Sequence, residues 1–289
     1  MIAERSDTRW IPVRHAKRGT RLGEGIGDAG ALRPEAIART LEAAVSFAAI
    51  ARACGAELRA LATSAMRRAS NAAALTQPLA TQTGARLEIV SGEDEARYSF
   101  IGALAGHGEG IAPGARVGVL DVGGGSSELA IGTTVRLERW RSFEMGAVRL
   151  TESTPLREDP PPPQALAEAR ERARGALAGV EEIGAGIERL ICVGGTATTC
   201  AGIVTRGERE GEQADGVRIS RRDPGAIAER LGPLPVAERM RTPGLPAQRA
   251  DIIVGGAVLL EQAFAMLDVQ EAITSIHDLL LGYITAGWR

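Results

Sequence analysis

The residues best suited to chemistry lie in the stretch Asp121-Val122-Gly123-Gly124-Gly125-Ser126-Ser127-Glu128. Successive glycines at Gly123, Gly124 and Gly125 let the backbone take conformations closed to other residues, and let its N–H groups approach an anion closely. Ser126 and Ser127 add hydroxyl donors. Asp121 ends the apolar run Val117 to Leu120, and with Glu128 it offers carboxylates suited to a hydrated divalent cation. A glycine run alone fits a tight hairpin that binds nothing. An acid before it and Ser-Ser-Glu after it favour a phosphate site.

A second glycine turn, Gly194-Gly195-Thr196, follows the apolar run Ile187 to Val193 and opens a small-residue helix from about Ala197. Helix N-termini bind phosphate through free N–H groups and the helix dipole. Two such turns after two separate strands suit one phosphate chain held from both sides. The GxxxxGK[ST] lysine of a P-loop is absent, and no GxGxxG follows the strand.

A third element is Ser91-Gly92-Glu93-Asp94-Glu95-Ala96-Arg97. Hydrolysis of a phosphoanhydride needs a carboxylate to orient water and cations to offset phosphate charge. Glu95 in the first turn of a helix, with Arg97 two residues on, could supply both. An ordinary capped helix start would look the same. The polar turn Thr63-Ser64-Ala65-Met66-Arg67 is similarly open to two readings, with Arg67 able to face the same site.

The elements that must carry these groups read as an alternation. Short strands and turns fill the first 30 residues, and a helix with Pro34 and Glu35 in its first turn runs to Gly55. A strand from Glu57 to Ala62 and a helix from about Asn71, kinked or divided at Pro78, come next. A strand from Leu87 to Val90 precedes a helix capped by Ser91. Beyond a linker at 108–114, Val117–Leu120 and Ser127–Ile131 form a hairpin across the glycines, with a third strand from Val135 to Trp140. A charged helix from Gln164 to Glu182, a polar loop at 205–216, and apolar helices from Asp251 to Leu267 and Ile276 to Ile284 complete the reading. Strand–helix alternation of this kind predicts sheets covered by helices.

Composition narrows the partners. The chain has 289 residues, 44% apolar and 24% charged, with a net charge of -2 and only 3% aromatics. A binder of nucleic acid would want a basic field or stacking platforms, so none is expected here. No apolar run is long enough to span a membrane, and no leader-like segment opens the chain, so a cytoplasmic protein is expected. Cys54, Cys192 and Cys200 fit neither a disulfide framework nor a CxxC metal site, and are expected to be small buried hydrophobes. His15, His107 and His277 sit in no metal-ligand or triad spacing.

Taken together, these segments resemble the exopolyphosphatase/guanosine pentaphosphate phosphohydrolase (Ppx/GppA) family. The likeness runs through Arg21-Leu22-Gly23-Glu24-Gly25, Ala62 to Arg67, Ser91 to Arg97, Asp121 to Glu128, Ser142 to Leu150 and Val193 to Thr199, and ends in Arg249-Ala250-Asp251 and Gly255-Gly256-Ala257. It implies an α/β protein of the actin-like ATPase superfold (the sugar kinase, Hsp70, actin and RNase H-like class), with two domains, 1–112 and 113–289, and a cleft between them. It implies Mg²⁺- or Mn²⁺-dependent removal of terminal phosphates from polyphosphate, or of the 5′ phosphate of guanosine pentaphosphate. Carried over by position, Glu95 would activate water, Arg67 and Arg97 would lie near phosphates, and Asp121 and Glu128 would face the metal. Gly123 to Ser127 and Gly194 to Thr196 would hold phosphates. A homodimer is the family's mild expectation.

One departure is visible. The family opens on a strand and a turn of the type Asp-x-Gly-Ser/Thr-Asn-Ser, whereas Met1-Ile2-Ala3-Glu4-Arg5-Ser6-Asp7-Thr8 resembles the returning strand after it. The favoured expectation is a natural protein longer by about 20 to 30 residues, the size of a strand–turn–strand unit. The alternatives are an inactive relative or a non-catalytic binder of polyphosphate or alarmone. A small-molecule kinase of the same superfold is a further rival.

Overall fold

A computed structural model describes residues 1–287 apart from Thr8 and 27–29, and divides into two compact units, Met1–Glu95 and Ala96–Arg289. The division falls inside a helix, ahead of the linker at 108–114.

The first unit opens with β1 (Ile2–Ser6) and β2 (Arg9–Arg14), an antiparallel pair. Helix α1 (Pro34–Ala53) begins with Pro34, whose missing N–H is no loss in a first turn, and closes at Gly55 with φ +65°. Strand β3 (Ala60–Ala62), α2 (Ser64–Arg68), α3 (Ala73–Thr83) and β4 (Leu87–Ile89) follow, with β3 and β4 paired in parallel. Ile26, Leu32, Met66 and Leu75 form the centre of the core, and the Asn71 amide brackets the backbone of Leu32 from both sides. The segment read as a turn at Thr63–Arg67 is a short helix, and α3 runs through Pro78 undivided.

Helix α4 (Gly92–His107) carries the chain across the division. Ser91 caps it as expected: its hydroxyl accepts the Asp94 N–H at 3.0 Å, and its carbonyl accepts the Glu95 N–H at 2.9 Å.

The second unit is built on β5 (Val117–Val122), β6 (Ser127–Gly132), β7 (Leu137–Phe143), β8 (Arg189–Val193), β9 (Arg218–Ser220) and β10 (Glu271–Thr274), in the order β7-β6-β5-β8-β10-β9. β5, β8 and β10 run parallel, and the flanking pairs are antiparallel. The helices are α5 (Ala147–Glu152), α6 (Ala165–Ala176), α7 (Val180–Gly184), α8 (Gly194–Val204), α9 (Asp223–Leu231), α10 (Val236–Arg239), α11 (Ile253–Met266) and α12 (Leu279–Gly287).

Side chains alternate across the strands. One face of the sheet, with Leu120, Val122, Leu129, Ile131, Leu190 and Cys192, joins the large core containing α6, α8 and α11. The other, with Val117, Val119, Ala130, Ile191 and Val193, is covered by Ala96, Phe100 and Ala103 of α4.

Several expected boundaries move. The charged helix at 164–182 breaks into α6 and α7, because Gly179 takes φ +85° between them. The third strand runs Leu137–Phe143, and α8 begins at Gly194 itself. The polar stretch at 205–216 contains a 3-10 turn, Gly211–Ala214, that buries Ala214 completely. Among the described residues, no helix is long and apolar enough to cross a membrane.

Candidate active site

β5 and β8 are parallel neighbours, with Asp121 in register with Val193, so both strands deliver their carboxyl ends to the same edge of the sheet. There the chain turns through Gly123–Ser126 into β6 and through Gly194 into α8. In α/β sheets the carboxyl ends of the strands are where ligands bind. The two glycine turns read from the sequence are therefore side by side.

The first turn is held from beneath. The Gly123 N–H donates to Ser126 O at 3.0 Å, while the carbonyls of Gly123 and Gly124 accept N–H groups of Ala147 and Val148, each at 2.9 Å, from the start of α5. A side chain at Gly146 would meet the Gly124 carbonyl at 2.5 Å, so only glycine permits this approach. Gly124 is exposed, Gly123 and Gly125 are half-buried, and Ser126 is buried. Ser127 is fully buried and its hydroxyl donates to Met145 O at 2.7 Å. That hydroxyl braces the loop, so the expectation of a phosphate contact for Ser127 has no support from its placement.

The second turn opens an eleven-residue helix with no side-chain cap. Its first-turn N–H groups fit an anion better than a buried end. Gly194 takes φ +84°, and a side chain there would meet Asp121 Oδ1 at 2.5 Å. A side chain at Gly195 would meet Arg249 Nη2 at 1.6 Å, so the Arg249 guanidinium lies directly across the helix start. Thr196 is buried with its side chain against Gly256 of α11, and the Thr198 and Thr199 hydroxyls donate back to carbonyls of Gly194 and Gly195.

Asp121 and Glu128 stand directly opposite each other on β5 and β6, on the face covered by α4. Like charges so placed repel, and a cation between them removes the repulsion. Ser99 of α4 donates to Asp121 Oδ2 at 3.1 Å, and Ser142 of β7 donates to Glu128 Oε1 at 2.8 Å. This donor set, two hard oxygen ligands with hydroxyl support, fits Mg²⁺ or Mn²⁺. Among the described residues, no group of three His, Cys, Asp or Glu is arranged to hold a metal ion by itself.

In the first unit Glu95 is 6% exposed and is ion-paired with Arg67 Nη1, which also donates to Val90 O at 2.9 Å. Arg67 Nη2 is buried with no acceptor among the described residues, and so is the Ser64 hydroxyl one turn earlier on α2. Buried donors without acceptors are costly, by about 1–3 kcal/mol each, and fit an incoming anion. Arg97 lies about 200° around the helix from Glu95, exposed, donating to the Tyr98 hydroxyl at 3.1 Å with its guanidinium 4.8 Å from the Tyr98 ring.

Arg249 is the group that sequence reasoning passed over. Arg249-Ala250-Asp251 was part of the resemblance, but nothing local distinguished this arginine from a surface one. The next residue, Ala250, is tied in by the buried Arg239, whose guanidinium donates to the carbonyls of Leu231, Gly232, Leu234 and Ala250.

The profile of the Ppx/GppA phosphatase family matches residues 1–282. Exopolyphosphatase 2 of Mycobacterium tuberculosis is 32% identical over 286 residues, which cover 93% of this chain and 87% of that protein. Exopolyphosphatase 1 of Mycobacterium leprae is 29% identical over 273 residues, covering 90% of this chain and 76% of its own. Among solved structures, an exopolyphosphatase-like protein superposes with a TM-score of 0.87 at 28% identity, covering 96% of this chain and 92% of that one. The Ppx/GppA family member of Aquifex aeolicus, at 23% identity and a TM-score of 0.79 over 98% of this chain and 91% of its own, shares the fold. With its mixed sheet and paired glycine turns, the chain is a phosphohydrolase of the actin-like ATPase fold and belongs to the Ppx/GppA phosphatase family.

Proposed function

We propose that this protein removes terminal phosphates from inorganic polyphosphate by hydrolysis. The observation that carries the reading is the convergence of two glycine turns on one sheet edge, beside the opposed acids Asp121 and Glu128. The names of the mycobacterial relatives support polyphosphate as the substrate.

In this reading the backbone N–H groups of Gly124–Ser126 and of the α8 start, with Arg249, hold successive phosphates. Asp121 and Glu128 hold Mg²⁺ or Mn²⁺, which when bound offsets the negative charge of the phosphate oxygens. Glu95, ion-paired with Arg67, orients water and accepts its proton. Phosphoryl transfer needs little covalent participation by the protein, so positioning and charge are the main contributions asked of these groups.

The test is orthophosphate release from polyphosphate, run beside guanosine pentaphosphate and beside ATP with candidate acceptors. Release from polyphosphate without ATP consumption supports the proposal. Acceptor-dependent ATP consumption would instead favour a kinase, and binding of polyphosphate without release would favour a non-catalytic sensor.

A further inference from the structure

Each acid of the candidate cation site is gripped by a serine. Ser99, on α4, is 2% exposed and sits among Ala96, Phe100 and Ala103, the residues that seal α4 onto the sheet. An alanine would suit such a layer and a helix better, yet a hydroxyl is present and donates to Asp121 Oδ2 at 3.1 Å. Ser142 lies directly opposite Glu128 on β7, and its hydroxyl donates to Glu128 Oε1 at 2.8 Å. In the strand order β7-β6-β5, Ser142 and Asp121 flank Glu128 on opposite sides. One neighbour of Glu128 therefore repels its carboxylate and the other holds it.

We infer that Ser99 and Ser142 are positioning residues for the divalent cation, fixing the rotamers of Asp121 and Glu128 so that the two carboxylates converge. The inference rests on the reading of those two acids as cation ligands. Without the hydroxyls, the two facing carboxylates would relieve their repulsion by rotating apart, and a cation would have to draw them back before it could bind. A merely structural hydroxyl predicts something different: lower stability of the metal-free protein with an unchanged affinity for the ion.

The experiment is titration with Mn²⁺ alone, followed by electron paramagnetic resonance of the free ion, with metal-free thermal unfolding measured in parallel. Ser99→Ala and Ser142→Ala should each weaken Mn²⁺ binding on the order of tenfold. Ser142→Thr and Ser142→Val guard against misfolding, since both side chains suit a strand and differ by a hydroxyl. Threonine should restore affinity to within about threefold of the wild type, and valine should not. Ser153→Ala, at the end of α5, serves as the unaffected control. Alanine variants that bind Mn²⁺ within about twofold of the wild type would overturn the inference. Failure of the underlying reading looks different: the wild type and Asp121→Asn would then bind Mn²⁺ equally.

Discussion

Asp121 and Glu128 face each other across β5 and β6 in one register position, with Glu128 buried and Asp121 half-buried. Two carboxylates so placed are unfavourable in the protein alone, and their position makes sense chiefly as half of a cation site. Glu128→Gln keeps the acceptor for Ser142 and removes one charge. It should leave the metal-free protein as stable as the wild type, or more so by up to about 1 kcal/mol. The stabilisation that Mg²⁺ gives the wild type should vanish. Thermal unfolding with and without Mg²⁺ checks both halves.

Gly195 separates fold from function within α8. Its φ is ordinary, so Gly195→Ala is tolerated by the helix, but the new Cβ must displace the Arg249 guanidinium. The flexible end of an arginine can move, so stability should hold within about 1 kcal/mol. The KM for polyphosphate should rise roughly tenfold, the equivalent of one charge-assisted hydrogen bond. Steady-state kinetics beside circular dichroism would show the split.

The turn from Asp121 to Glu128 was legible because an apolar strand, a glycine run and a second apolar strand leave few alternatives to a hairpin. The start of α4 was legible from its Ser91 cap. Helix α2 was not, since five residues are too few to display helical periodicity. β9 and β10 were missed for a similar reason: three- and four-residue strands show almost no alternation. Ser99 carries no local signal, and Ser142 and Arg249 lie in segments of the family resemblance that assign them no role. Their roles come from register and packing between segments far apart in the chain, which one sequence does not display.

His107, Asp215 and His277 form a cluster just past the carboxyl end of β10, the parallel neighbour of β8. His107 Nε2 lies 3.0 Å from Asp215 Oδ1, the Ile276 N–H donates to the same oxygen, and His277 Nε2 is 4.0 Å from Oδ2. Burial pushes the Asp215 carboxyl upward, but the hydrogen bonds from His107 and Ile276 and the nearby imidazoles outweigh it and hold the group below its ordinary value of 3.8. A carboxyl lowered in this way stabilises the fold above its unfolded value, and that stability disappears as pH falls through the folded value. Asp215→Asn should therefore unfold at a lower temperature than the wild type at neutral pH. The gap should close once the pH is well below 3.8. Thermal melts across that range measure it.

The cysteines differ in reactivity. Cys192 and Cys200 are buried, and burial raises both thiols, that of Cys200 to about 12, whereas Cys54 is exposed, contrary to the expectation of three buried thiols. Only Cys54, in the closing turn of α1, should react with a thiol reagent in the native protein, and all three should react after unfolding. A colorimetric thiol count before and after denaturant decides it.

If Glu95 orients water for hydrolysis, Glu95→Gln should abolish most of the activity. Glutamine can still accept from Arg67 and fill the same volume, so the fold should persist. Orthophosphate release from polyphosphate should be measured for both proteins at saturating Mg²⁺. The wild type should release orthophosphate, and kcat should fall by about 10² to 10⁴ in the variant with polyphosphate binding retained. Release by Glu95→Gln within a few-fold of the wild type, or no release by the wild type, would contradict hydrolysis through Glu95.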